Sequence, residues 1–264
     1  MNTFAPDFLN ALCVSVARQL NRIPYESGGT SNTSRPETYL IFPATAGQKR
    51  RVSEQEARFL LTRQLEQCEI YYAVETPTRQ EYQFAGTQGK RSGSTDVTLF
   101  ERSPDGSSFV RRILIELKAH NVHLDNIKKD FEKLLRENES GVFFHVVQAA
   151  NSGTLTSDTS EKGILVKYRT AFAEILNDLS LQKDSTWFLH IVLSCMSPSF
   201  LISKTMHSKD LANLTGFFDF QYQIAHGAIK VIKSNGWSVL DFQNDQQGIC
   251  TCLLRNDGIC GGSF

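Results

Sequence analysis

A chain of 264 residues can bury a full core and fits one elaborated domain, or one domain with a small appendage. Lys plus Arg and Asp plus Glu number 28 each, so no net field draws the chain toward nucleic acid, and any polyanion must be held by local basic clusters. Six cysteines at this length do not make a disulfide scaffold, and no apolar stretch has the flanks of a signal peptide or the length of a membrane span. A cytoplasmic protein with no membrane partner is expected.

Pro6 to Leu20 carries helical periodicity through Phe8, Leu12, Val16 and Leu20, and a loop rich in Gly, Ser, Thr and Asn follows from Glu26 to Arg35. Tyr39 to Phe42 is expected as a short strand, and the basic run Lys49, Arg50, Arg51 ends an N-terminal extension of residues 1–50. Ser53 and Glu56 have capping-box spacing, and Ala57, Leu60, Leu61, Leu65 and Cys68 make the apolar stripe of a helix. A strand at Ile70 to Val74 is ended by Thr76-Pro77. Ser94 to Glu101 and Val110 to Lys118 flank the turn Ser103-Pro104-Asp105-Gly106, which predicts a hairpin.

A second helix is expected at Leu124 to Asn138, with Ile127, Phe131, Leu134 and Leu135 on its apolar side. Val142 to Val147 is an unbroken apolar run of strand length, the pattern of a strand covered on both faces. A helix at Leu165 to Leu179 and a buried strand at Thr186 to Cys195 complete a core over residues 51–200. Beyond it Phe218, Phe220, Tyr222 and Ile224 alternate with polar residues, and turns are expected at Ser234-Asn235-Gly236 and Asn256-Asp257-Gly258. Residues 201–264 therefore read as a small antiparallel β appendage.

The hairpin carries the chemistry. Alternation along its second strand puts Ile113, Ile115 and Leu117 on one face and Leu114, Glu116 and Lys118 on the other. The turn sets a register in which Asp96 lies opposite Ile115, one position from Glu116. Two carboxylates and a lysine thus converge, an arrangement that a hard divalent cation stabilises through oxygen ligands and water. Such a cation polarises a phosphoryl oxygen, while Lys118 positions the attacking water and offsets charge on the phosphate. Glu56 is expected to join from the buried stripe of the preceding helix, with Glu54 as the second choice.

A helix glutamate, a hairpin bearing Asp96 and the triplet Glu116-Leu117-Lys118, then a helix and a further strand resemble the PD-(D/E)XK nuclease superfamily. The resemblance spans roughly residues 51 to 150. It implies an α/β restriction-endonuclease-like core (α-β-β-β-α-β, a central mixed sheet flanked by helices). It carries over Glu56, Asp96, Glu116 and Lys118 as catalytic residues, with Glu56, Asp96 and Glu116 as ligands of Mg²⁺ or Mn²⁺. It further implies phosphodiester hydrolysis, on DNA rather than RNA, and a setting in defence against foreign nucleic acid. Thr95 stands where the family's name puts proline. The rival reading is a non-catalytic nucleic-acid-binding or assembly subunit that keeps the fold.

Candidate phosphate contacts are Arg51, Lys90, Arg91 and Lys129, with Lys49, Arg50, Arg58, Lys128 and Lys133 in the same basic clusters. Net neutrality leaves a homodimer or an activating protein partner to strengthen binding. Cys250, Cys252 and Cys260 have the thiol density of a zinc site but no fourth ligand at diagnostic spacing. His145 and His190, inside apolar strands, read as core histidines.

Overall fold

The computed structural model describes residues 4–26, 39–44, 46, 51–82, 88–157, 162–178 and 186–242. Lys49, Arg50, most of the loop expected at 26–35, the turn at 256–258 and Cys250, Cys252 and Cys260 lie outside the described residues.

Among the described residues four α-helices form where the periodicity places them. Helix α1 (Pro6–Arg22) has proline and Asp7 in its first turn, where a missing N–H is harmless and a negative charge meets the positive helix end. It buries Leu9, Leu12, Val16 and Leu20 completely or nearly so. Helix α2 (Glu54–Gln67) starts at the Ser53 cap and buries Ala57, Leu60, Leu61 and Leu65. The two pack together and cover one face of the sheet with Ile113, Ile115, Leu117, Val142 and Phe144. Far from an extension, α1 is therefore a structural half of that layer. Helices α3 (Leu124–Arg136) and α4 (Ile164–Asp178) cover the opposite face, over Leu114, Phe143, Leu189 and Ile191.

Between these layers the described residues form a mixed sheet of seven strands, in the order β1-β2-β3-β4-β5-β6-β9, with β6 (Ser199–His207) and β9 (Ser238–Asp241) at its far edge. Strands β1 (Tyr71–Tyr82), β2 (Arg91–Arg102) and β3 (Phe109–Ala119) are antiparallel. Strands β3, β4 (Ser140–Val147) and β5 (Phe188–Met196) are parallel, because α3 and α4 serve as their crossovers. Gly141 on β4 lets α3 approach closely, since a Cβ there would lie 3.1 Å from the Leu134 side chain.

Three expectations about the strands need correction. Strand β1 does not stop at Thr76-Pro77 but continues to Tyr82, with a register shift between Pro77 and Glu81. As the edge of the sheet it tolerates a residue without an N–H donor. Tyr39 to Phe42 gives only the bridge from Phe42 to Tyr25. The boundary expected at residue 200 falls inside β6 (Ser199–His207), which pairs with β5 along its length, and β9 (Ser238–Asp241) pairs in turn with β6. Among the described residues only β7 (Gln221–Ala225) and β8 (Ala228–Lys233) form a separate small antiparallel sheet. The alternating Phe218, Phe220 and Tyr222 are buried as expected, but against the cluster built on α3, α4 and β5.

Candidate active site

The site lies where β2, β3 and α3 meet the N-terminal end of α2. The β2–β3 hairpin turns on Gly106 at φ 72° and on Asp105, which accepts from the Ser103 and Ser107 hydroxyls at 2.5 and 2.6 Å. Near the turn Glu101 faces Val110, but a bulge between Leu99 and Phe100 shifts the pairing by one residue, so that Val97 faces Ile115. Continued one step, that register brings Asp96 level with Glu116, one position closer than an unbulged hairpin would. The Leu117 N–H donates to Asp96 Oδ2 at 2.7 Å, which fixes the carboxylate at the point where ladder pairing ends.

Around this pair the cleft is densely ionic. Arg58 of α2 bridges Asp96 Oδ1 at 2.8 Å and Glu75 Oε1 at 2.6 Å. Lys133 Nζ lies 2.6 Å from Glu116 Oε1 and 3.2 Å from Asp130 Oδ1, and donates to the Ser94 carbonyl at 2.9 Å. Lys118 Nζ lies 2.6 Å from Asp130 Oδ2 and 3.5 Å from Glu54 Oε1. Glu54 Oε1 also accepts the Ala119 N–H at 3.3 Å, which ties α2 to the end of β3. Glu54, Asp96, Glu116, Lys118, Asp130 and Lys133 line a cleft of about 450 Å³, together with the exposed Arg91 and Lys129.

Burial sets the charge states. Glu116 is 2% exposed, and burial pushes its carboxyl well above the usual carboxylate range; Asp130 and Asp96 push the same way and Lys133 opposes them. For Lys118 burial works against the charged form, but Asp130, Glu54 and Glu116 outweigh it and leave the ammonium harder to deprotonate than usual. Lys133 behaves likewise, burial being outweighed by Glu116 and Asp130. Glu116 Oε1 and Asp130 Oδ2 each lie 2.6 Å from a lysine nitrogen, a tight ion pair approached off the direction of a well-formed hydrogen bond.

The structure brings Asp96, Glu116 and Lys118 together but does not bring Glu56 to them. Glu56 Oε2 accepts the Ser53 backbone N–H at 2.8 Å and also the Ser53 hydroxyl, and Glu56 is not a lining residue of the cleft. Its position three residues after the cap commits it to the capping box, and the helix carboxylate that reaches Lys118 is Glu54. Sequence reasoning missed Asp130 and took Lys133 as part of a basic cluster facing phosphate, although Lys133 is only 5% exposed. The signal was present: Asp130 stands with Ile127, Phe131 and Leu134 at one-face helical spacing, a charge placed on an apolar stripe. Of the candidate phosphate contacts, Arg91 and Lys129 line the cleft, while Arg51 and Lys90 are exposed and do not.

Among the described residues no three His, Cys, Asp or Glu side chains are gathered to hold a metal ion; each carboxylate of the cleft is instead paired with lysine or arginine. The donors nevertheless suit a hard divalent cation. They are carboxylate oxygens, and those of Glu116 and Asp130 are buried with lysine ammonium groups standing where a cation would. The two strand histidines take no part. His145 lies between Tyr168, at 2.7 Å from Nδ1, and the His120 carbonyl, and His190 lies between Thr205 and Asn10. No described helix is long and apolar enough to cross a membrane. In comparisons with models of protein families, with curated proteins and with solved structures, nothing matches this chain.

Proposed function

We propose that this chain is a Mg²⁺- or Mn²⁺-dependent nuclease of PD-(D/E)XK type, with a restriction-endonuclease-like core, which hydrolyses phosphodiester bonds of DNA in the cytoplasm. One observation carries the reading. Asp96, Glu116, Lys118 and Glu54, from three different elements, line a single cleft, with the Glu116 carboxylate buried at its wall.

In this reading Asp96 and Glu116 hold the cation, with Glu54 and Asp130 within the same cleft. A bound divalent cation supplies Lewis-acid polarisation of the phosphate and a water of lowered pKa. Lys118 stays protonated beside Asp130, so it offsets charge developing on the phosphate and orients the attacking water but does not take its proton. Arg91 and Lys129 hold flanking phosphates. The neutral net charge makes a homodimer or an activating protein partner the natural source of further affinity, and the family resemblance alone suggests defence against foreign nucleic acid as the setting.

The test is cleavage of plasmid, linear and single-stranded substrates with Mg²⁺ or Mn²⁺. Lys118→Ala should slow cutting by roughly 10²–10³ while Mn²⁺ binding survives, as for removal of one transition-state donor. Cutting at the wild-type rate by that variant would refute the assignment of Lys118. A second reading, a binding or assembly subunit without turnover, is favoured by the pairing of every cleft carboxylate with a lysine or arginine. It prevails if wild-type protein neither cuts any of these substrates nor binds Mn²⁺ calorimetrically.

A further inference from the structure

Lys133 has surroundings unlike those of an ordinary surface lysine or an ordinary ion pair. Its ammonium is in contact with three oxygens of three different residues: Glu116 Oε1 at 2.6 Å, Ser94 O at 2.9 Å and Asp130 Oδ1 at 3.2 Å. Two are carboxylates and one is a backbone carbonyl, the oxygen set that a hard cation takes. The side chain is only 6% exposed, yet it reaches the wall of an open cleft and does not end in a closed core. A buried ion pair contributes little net stability against an apolar replacement, so stability alone gives a weak account of an ammonium at this point.

The geometry around it is also incomplete. Glu116 Oε1 meets Lys133 Nζ off the direction of a well-formed hydrogen bond, and Asp130 Oδ2 stands in the same relation to Lys118. Asp130 spans both lysines, one oxygen to each. The cluster therefore has its negative charge balanced by lysines while its buried carboxylates line the cleft. Resting on the nuclease reading above, we infer that the Lys133 ammonium is an internal counter-cation that competes with the divalent ion for Glu116 and Asp130. Loading the site with metal displaces Lys133 from Glu116. Two consequences follow: the metal-free protein keeps its buried carboxylates without unfolding, and metal affinity is set by α3 as well as by the β2–β3 hairpin. Asp130, once Lys133 has left, is a further carboxylate for the cation or the hold on Lys118.

The experiment compares full-length wild type with Lys133→Met, which keeps an unbranched side chain one atom shorter and removes its charge. Mn²⁺ binding is measured calorimetrically at mildly alkaline pH, and thermal unfolding is followed in chelator and in excess Mn²⁺. Removing a unit positive charge from beside a divalent ion should tighten Mn²⁺ binding by about tenfold or more. The variant should melt below wild type in chelator and gain more than wild type does from Mn²⁺. If wild type binds Mn²⁺ and the variant binds it equally or more weakly, the inference fails while the metal site stands. If neither binds, the metal reading fails and the inference with it. A second measurement covers a variant that does not fold. The ammonium resonance of Lys133 in ¹⁵N-lysine-labelled wild type, assigned through Lys133→Arg, should be lost or strongly shifted on titration with Mg²⁺. An unchanged resonance at saturating Mg²⁺ overturns the displacement.

Discussion

At the scale of single residues, Glu54 and Glu56 show how two carboxylates a half-turn apart acquire different work. Glu56, at the third helical position, is captured by the Ser53 N–H and hydroxyl, whereas Glu54, at the first, reaches Lys118 and the Ala119 N–H. Glu56→Ala should therefore cost about 1 kcal/mol of stability, the usual worth of a cap, with Mn²⁺ affinity unchanged. Glu54→Gln should do the reverse, weakening Mn²⁺ binding with little loss in urea unfolding, and an exchange of these two phenotypes would return Glu56 to the site. The buried histidines give a pH dependence of definite sign. Burial pushes both His145 and His190 down to about 4 from an unfolded value near 6.5. The unfolded chain thus binds more protons between these limits, so the stabilisation is complete above pH ~6.5 and is lost as pH falls toward 4, on the order of 3 kcal/mol per ring. Urea unfolding between neutral pH and pH ~5 should show the decline, and His145→Gln should make it shallower; an equally steep decline in the variant would assign it to other groups.

At the scale of elements, the hairpin decides the site and its bulge refines it. Alternation in the stretch Val110 to Lys118 made the facing of Glu116 and Lys118 legible, because a sheet covered on both sides leaves no freedom to flip a strand. The bulge at Leu99/Phe100 was not legible: nothing in those residue types distinguishes a shifted pairing from an even one. Asp130 was legible as a charge on an apolar stripe, but Lys133 was hidden for another reason, since a helix rich in Lys and Asp reads as solvated until its neighbours are known. The extension of β1 past Pro77 depends on a partner distant in sequence. Glu137, just after α3, accepts the Arg79 and Gln80 N–H groups at 2.7 and 2.9 Å and the Tyr82 hydroxyl at 3.0 Å, satisfying donors that the register shift removes from the ladder. The C-terminal strands were taken for a separate unit because their two-residue alternation is the same whether a strand closes its own hairpin or extends the main sheet. Truncation after Ser208 would expose the free edge of β6 and strip Phe218, Phe220, Tyr222 and Trp237 from the α4 side of the core. Aggregated protein on size exclusion is the expected result, and a soluble truncated chain with a cooperative melt would make the region an independent appendage after all.

For the whole molecule, the decisive quantity is how charge is distributed, since its total is zero. Nucleic-acid affinity in an unspecific mode scales with the number of phosphates neutralised, and each contributes close to one unit of salt dependence. Here the cations nearest the proposed chemistry are mostly spent: Arg58 on Asp96 and Glu75, Lys118 on Asp130, Lys133 on Glu116, and Lys128 on Glu174. Arg91 and Lys129 are the exposed basic residues that line the cleft, one from β2 and one from α3, so they flank the carboxylates on two sides. A duplex engaging the site would place neighbouring phosphates against both. The double substitution Arg91→Gln, Lys129→Gln should weaken DNA binding and reduce the slope of log affinity against log salt by about 2. Mn²⁺ binding should change far less than DNA binding, because both side chains are exposed and solvent screens their charge from the buried carboxylates. Fluorescence anisotropy over a salt series, in the presence of Ca²⁺ to hold cleavage in check, reads the slope directly. A slope unaltered by the double substitution would mean that DNA is held elsewhere on the molecule, and the cleft would then need a partner to bring its substrate.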